Sequence, residues 1–132
     1  MDGGSNLSFK TLNGFLLVRV SGDCSSYEQS LTVLRLIADR FRSASCAQFL
    51  IDTTEVTGIM LSLDRFRLML SFARMLPPHV SVAVVVSRER YFPDYLLETI
   101  LHKYNIEGAE FTDRDAAIAW VNRRLEPAQK AF

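Results

Sequence analysis

The sequence predicts an α/β domain whose elements follow the order ββαβαβαβα, with a mixed, mostly parallel sheet packed against four helices. An Asn-Gly pair between two short apolar runs indicates an antiparallel hairpin near the start of the chain. After it, short continuous apolar runs alternate with segments whose apolar residues recur every three or four positions. Alternation of this kind is typical of strands joined by right-handed helical crossovers.

The hairpin is the first element of this prediction. Asn13-Gly14 separates the apolar segments 7–12 and 15–20. Both central positions of a type I′ turn need a positive φ, which Asn and Gly tolerate. We therefore expect the first two strands to pair antiparallel.

Helices and strands alternate through the rest of the chain. Apolar spacing from Tyr27 to Phe41 predicts a first helix over residues 26–43. Apolar runs at 47–52, 80–86 and 109–111 predict three more strands. We expect one domain with its core at about residues 7–125 and frayed ends at 1–6 and 126–132.

The second, third and fourth helices lie between and after those strands. The second follows a stripe from Leu63 to Leu76 and ends at Pro77-Pro78. The third shows the spacing Phe92, Leu96, Ile100 and Tyr104. The fourth opens at residues 112–115 and turns Trp120, Val121 and Leu125 inward.

Charge and hydropathy exclude several classes of function. Fifteen Lys and Arg balance fifteen Asp and Glu over 132 residues, so the field that attracts nucleic acid is missing. No apolar run approaches the roughly 20 residues of a membrane helix, and no secretory signal is visible. We expect a cytoplasmic protein that neither binds nucleic acid nor spans a membrane.

Motifs for catalysis, cofactors and metals are missing from the sequence. Cys24 and Cys46 stand at opposite ends of the first helix, too far apart for a disulfide, and neither belongs to a Cys-x-x-Cys pair. There is no phosphate-binding glycine loop and no nucleophile elbow. Asp52 and Glu55 follow a strand and could contact a ligand, although capping of their own turn is the favoured interpretation. We expect no cofactor, no metal and no enzymatic activity.

Several segments together resemble a known family. They are 49–54 (FLIDTT), Val56, Gly58, 82–87 (VAVVVS), and the closing segment from 111–113 (FTD) to 119–121 (AWV). They resemble the STAS domains, and most closely their SpoIIAA-like branch, over residues 7–125. The resemblance implies a small non-enzymatic switch or ligand-binding module. In the anti-sigma factor antagonists of the family, a serine at the start of the helix after the third strand is phosphorylated.

The position that corresponds to the switch serine is Ser62. Leu61 precedes it, where the phosphorylated antagonists have an aspartate. A phosphate at a helix N-terminus is electrostatically favourable, so a switch is one interpretation. Serine is also a preferred N-cap whatever the function, and capping is the favoured interpretation.

The second helix has more apolar residues than one core face requires. Leu68, Phe72 and Met75 form a second stripe beside the predicted core stripe. They could line a surface for a protein partner, a second copy or a ligand. Alternatively, a neighbouring helix covers them, and both interpretations stay open.

The third helix is predicted to present a polar row. Tyr91, Tyr95, Glu98 and His102 follow one another at spacings of four, three and four. Together they could bind a polar ligand or transfer protons. The favoured interpretation is an ordinary wetted helix face.

Two functional hypotheses follow. The first is a STAS-like regulatory or protein-interaction module, monomeric or homodimeric, that docks through the face around Ser62 and helix two. The second is a carrier or sensor of a small apolar molecule or lipid, with a pocket between helices two and three and the sheet. A chain this short leaves little volume for a large pocket, which favours the first.

Overall fold

The structure is a computed structural model in which residues 6–130 are described, with side chains to residue 125. It contains five strands and four α-helices in the predicted order, plus one short 3-10 helix at Arg88–Arg90. The strands are β1 (Asn6–Leu12), β2 (Phe15–Asp23), β3 (Gln48–Thr57), β4 (Ser81–Val85) and β5 (Glu107–Phe111). The helices are α1 (Tyr27–Ser43), α2 (Ser62–Met75), α3 (Leu96–Lys103) and α4 (Arg114–Lys130).

The strands form one sheet in the order β1-β2-β3-β4-β5. β1 and β2 are antiparallel, and the other three pairs are parallel, which confirms the mixed, mostly parallel sheet. Asn13 and Gly14 both have positive φ, at 26° and 96°, and Leu12 pairs with Phe15. The hairpin prediction is therefore confirmed.

Helices cover both faces of the sheet, three on one face and one on the other. Successive residues of a strand point to opposite faces, so Leu16 and Val18 pack with α1, α2 and α3, while Phe15 and Leu17 pack against α4. Each face is closed by its own apolar cluster. The carboxyl ends of the parallel strands, and the loops that follow them, gather at one end of the molecule.

Three element boundaries differ from the prediction. β3 continues to Thr57, five residues beyond the apolar run, because its polar end still pairs with β2. Asn6 belongs to β1 and α4 extends to Lys130, so these segments are regular where frayed ends were expected. Residues 1–5 and 131–132, also expected to be frayed, lie outside the described residues.

The third helix is much shorter than its apolar spacing suggested. It begins at Leu96, and Tyr95 before it has a left-handed φ of 54°. Pro93 has no N–H and disfavours helical backbone at Phe92, and Asp94 Oδ1 accepts the Leu96 N–H at 3.1 Å. Phe92 therefore belongs to the loop before α3. Within residues 6–130, no helix is long and apolar enough to cross a bilayer.

Candidate functional site

The second helix buries part of each of its two apolar stripes. Ala73 and Leu76 of the predicted core stripe are buried, and so is one residue of the second stripe. Phe72 is only 4% exposed and belongs to the core, so its assignment to an exposed interaction surface is wrong. Leu68 and Met75 are half-buried, and Met75 packs against the core. α1 runs alongside α2, and Arg42 of α1 donates to the Met75 carbonyl. The core and the adjoining α1 thus cover Phe72 and Met75, which favours the alternative interpretation for these two residues.

The first turn of α2 and the loop before it are exposed instead. Ile59 is 86% exposed, Leu61 75% and Leu63 68%. Phe66, expected in the core, is 40% exposed. Large apolar side chains with this much contact with water are the features that mark docking surfaces.

Gly58 places this loop at the end of β3. Its φ is +89°, and a Cβ there would lie 2.0 Å from Asp23 Oδ1. Asp23 is held by the N–H of Ser25 at 3.1 Å and by its hydroxyl at 2.7 Å, and these hydrogen bonds lower the pKa of the carboxyl. Arg90, just after β4, donates to the Gly58 carbonyl. The loop is therefore fixed from two neighbouring elements.

Arg65 joins α2 to the loop before α3. Its guanidinium lies over the Phe92 ring, 4.6 Å from the centroid, and its Nη1 lies 3.4 Å from Asp94 Oδ2. Phe92 and Tyr95 in that loop are largely exposed. Arg65 thus connects two exposed segments, which are here together called the apolar tip and consist of Ile59, Leu61, Ser62, Leu63, Phe66, Phe92 and Tyr95.

Ser62 does not cap α2. Leu61 is the N-cap residue, its carbonyl accepts the Arg65 N–H at 2.9 Å, and no side chain caps the helix. The capping interpretation of Ser62 is therefore wrong, because the helix begins one residue earlier than a serine cap requires. Ser62 is exposed, and within residues 6–130 its hydroxyl makes no hydrogen bond.

The predicted polar row does not form one helix face. Tyr91 and Tyr95 precede α3, because Pro93 interrupts the helical pattern. His102 is exposed and forms no ion pair with Glu98 in the described chain. Glu98 faces the sheet, where its Oε2 accepts the Glu110 N–H at 2.9 Å. The structure groups Tyr91, Tyr95 and Glu98, and excludes His102.

A cluster of acidic and tyrosine side chains surrounds Glu110 of β5. Burial, and then the charge of Glu98, raise the pKa of Glu110 to about 7, while Arg65 opposes the shift. Burial also raises the pKa of Tyr91, with smaller contributions from the neighbouring tyrosine and carboxylates. The Leu96 N–H and Arg65 lower the pKa of Asp94. The sequence reasoning missed Glu110, whose one signal was a carboxylate within a short strand.

Asp52 bonds to its own segment of backbone, as the favoured interpretation held, but it lies within β3 and not in a turn. Its Oδ1 accepts the N–H of Thr54 at 2.9 Å and the Thr54 hydroxyl at 2.7 Å.

Two cavities lie at the surface of the described chain. Asp52 and Glu55 border one of about 200 Å³ on the α4 side of the sheet. A second cavity, of about 530 Å³, lies beside the hairpin and the end of α1. Neither of these two cavities lies between α2, α3 and the sheet, where the apolar pocket was expected.

The chain shares its architecture with a solved structure. An anti-sigma factor antagonist from Mycobacterium paratuberculosis superposes with a TM-score of 0.66 at 15% identity, covering 92% of this chain and 97% of that one. The chain has the STAS fold. The resemblance inferred from the sequence is thus confirmed at the level of the fold.

A second structure is more distant. It is an uncharacterized protein of the DUF3478 family with a SpoIIAA-like fold from Shewanella loihica, with a TM-score of 0.49, 18% identity, and coverage of 89% of this chain and 94% of that one. No protein-family model and no curated protein matches the sequence. The comparison with the antagonist structure therefore supports the fold alone, through three-dimensional similarity.

Proposed function

We propose that this STAS-fold chain is a non-enzymatic, cytoplasmic regulatory module that binds another protein through the apolar tip. The observation that supports this function is the exposure of Ile59, Leu61 and Leu63 on a loop that Gly58 and Arg90 fix in place. Burial of such an ordered apolar surface by a partner is favourable, because it removes apolar area from water and so contributes to the free energy of binding. The structural neighbour named above is an anti-sigma factor antagonist, so the partner we propose is a protein of the anti-sigma factor class.

Ser62 offers this module a means of control. Its hydroxyl is exposed in the middle of the tip, between Leu61 and Leu63. A phosphate there would add about −1.5 to −2 charges at the first turn of α2, where the helix N-terminus tolerates them. The same charge would have to be desolvated by an apolar partner, so phosphorylation would weaken docking.

Substitution within the tip tests this function. Leu61→Glu introduces a charge at the tip while leaving the core untouched. Leu36→Glu is the matched control, because Leu36 is also an exposed leucine, 53% exposed, but lies on α1. Affinities for purified anti-sigma factors from the source organism are measured by calorimetry. We expect Leu61→Glu to lose more than tenfold and Leu36→Glu to match the wild type.

Two outcomes would overturn the proposed docking surface. One is equal binding by Leu61→Glu and the wild type; the other is an equal loss in both variants. Native mass spectrometry of the same proteins tests self-association. A wild-type dimer that Leu61→Glu converts to a monomer would assign the tip to a second copy of this chain.

A further inference from the structure

Glu110 interacts electrostatically with two residues, Glu98 and Arg65, and each of them has a buried polar atom that lacks a hydrogen-bond partner. Glu98 Oε1 is an acceptor without a donor, and Arg65 Nη2 is a donor without an acceptor, among the residues that the structure describes. Buried groups of this kind are costly, so a change that supplies a partner to either one is strongly favoured.

The backbone holds Glu110 against the α3 layer. Gly108, two residues earlier on the same face of β5, approaches α3 so closely that a Cβ would lie 2.2 Å from Leu101 Cδ1. The Glu110 N–H donates to Glu98 Oε2 at 2.9 Å. The carboxyl group of Glu98 is thereby fixed at the backbone of Glu110.

Arg65 connects this cluster to the apolar tip. The same guanidinium that has the unpaired Nη2 lies over Phe92 and pairs with Asp94 at 3.4 Å. Phe92 belongs to the tip, and Asp94 Oδ1 fixes the start of α3. A new partner for Arg65 would therefore compete with the contacts that position the loop.

We propose that Glu110 is a proton-operated latch on the apolar tip, an inference that rests on the docking function proposed above. With its proton, Glu110 donates an O–H to Glu98 Oε1, and Arg65 stays on Phe92 and Asp94. When Glu110 releases its proton to solvent, its carboxylate accepts from Arg65 Nη2 and repels Glu98. Arg65 then shifts away from Asp94, and the Phe92 loop is repositioned.

The charges around Glu110 support this two-state arrangement. The groups that interact electrostatically with Glu110 are Arg65 from α2, Tyr91 and Asp94 from the loop before α3, and Glu98 from α3; Tyr95 in turn acts on Tyr91. The register neighbour on β4 is the apolar Val84. Ionised Glu110 would be the third carboxylate beside one guanidinium. Its pKa of about 7 places the change near neutral pH.

An NMR titration of the isolated protein tests the latch without any partner. The side-chain carboxyl carbon of Glu110, the Arg65 Nε and the Phe92 amide are followed from pH 5 to 9. We expect the three signals to share one midpoint between pH 6 and 8, and Glu110→Gln to abolish the transition at Arg65 and Phe92. Glu107→Gln is the matched control on the same strand, and should leave the transition intact.

Two results would overturn the latch. They are titration of Glu110 near the ordinary value of 4.5, and a Phe92 transition that persists in Glu110→Gln.

Calorimetry at pH 6 and 8 then tests whether the latch regulates docking. We expect the affinity of the wild type to change at least threefold between the two pH values and that of Glu110→Gln to stay the same. Equal changes in both proteins would overturn this regulation. Failure of the docking function itself would appear separately, as undiminished binding by Leu61→Glu.

Discussion

Glu98 covers a backbone donor at the free edge of the sheet. β5 is the last strand, and its bonds to β4 use the Glu107 N–H and the Phe111 carbonyl, so the Glu110 N–H points away from β4. Glu98 accepts that N–H at 2.9 Å. An edge strand with unpaired donors invites pairing with other chains, and a carboxylate over the edge opposes it. A residue predicted for a ligand face thus has a structural role.

The raised pKa of Glu110 predicts a stability effect with a defined sign. The unfolded carboxyl ionises near 4.5 and the folded one near 7, so the folded state binds more protons in that window and stability falls as pH rises through it. Glu110→Gln removes this loss. After discounting for the half-exposed side chain, we expect the variant to exceed the wild type by about 1–2 kcal/mol at pH 8, with no gain at pH 4.5.

Urea unfolding of both proteins at the two pH values measures this difference. The carboxyls whose pKa values are lowered, those of Asp23, Asp94 and Glu107, lose their stabilising effect as pH falls, but they are common to both proteins. The effects of Asp23 and Glu107 therefore cancel in the comparison, whereas Asp94, which interacts electrostatically with Glu110, contributes to the difference. An equal difference at both pH values would mean that Glu110 does not titrate between them.

Element order could be predicted from the sequence, whereas the exposure of Leu63 and Phe66 at the start of α2 could not. The change in apolar period identifies the elements, because a helix buries one face and repeats every three or four residues, whereas a central strand buries both faces and is a continuous apolar run. Both stripes of α2 are apolar, and how deeply each of their residues is buried depends on where α1 and α3 pack, which no local pattern records. Pro93 was a visible signal against helix at Phe92. Because packing between helices determines which apolar residues stay exposed, only the structure shows the apolar tip.

α4 is joined to β5 by Arg124, which predicts a measurable local coupling. Its Nε and Nη2 lie 2.9 and 2.7 Å from the two oxygens of Glu107, and its guanidinium lies 3.6 Å from the Trp120 ring centroid. We expect Arg124→Ala to cost about 1 kcal/mol, because the pair is partly exposed. The pKa of Glu107, which Arg124 lowers, should rise towards its ordinary value.

Carboxyl-carbon NMR of Glu107 and thermal unfolding check both effects of Arg124→Ala. Arg123→Ala is the control, since Arg123 is the exposed neighbour and forms no ion pair within the described residues. If the pKa of Glu107 stayed low in Arg124→Ala, the ion pair would not be what lowers it.

At the scale of the whole molecule, the central strands belong to both apolar clusters. Along β3, Phe49 and Ile51 pack under α1–α3, whereas Leu50 between them packs under α4. β4 alternates in the same way, with Val82 on one side and Ala83 on the other. Because neither face can lose its strands without exposing the other, we propose that the chain unfolds as one cooperative domain.

This proposal predicts that a destabilising substitution on one face of the sheet lowers the unfolding midpoint measured by a probe on the other face. Phe72 is 4% exposed in the three-helix cluster, and Phe72→Ala should cost about 3 kcal/mol through lost burial and a cavity. Trp120 is the one tryptophan of the chain and lies in the α4 cluster. We expect the fluorescence of Trp120 and the far-UV circular dichroism to give the same, lowered urea midpoint in Phe72→Ala.

Phe66→Ala is the control, because Phe66 lies on the same helix but is 40% exposed, and it should cost less than about 1 kcal/mol. Two separate transitions in Phe72→Ala, with the Trp120 midpoint unchanged, would mean that the two faces unfold independently.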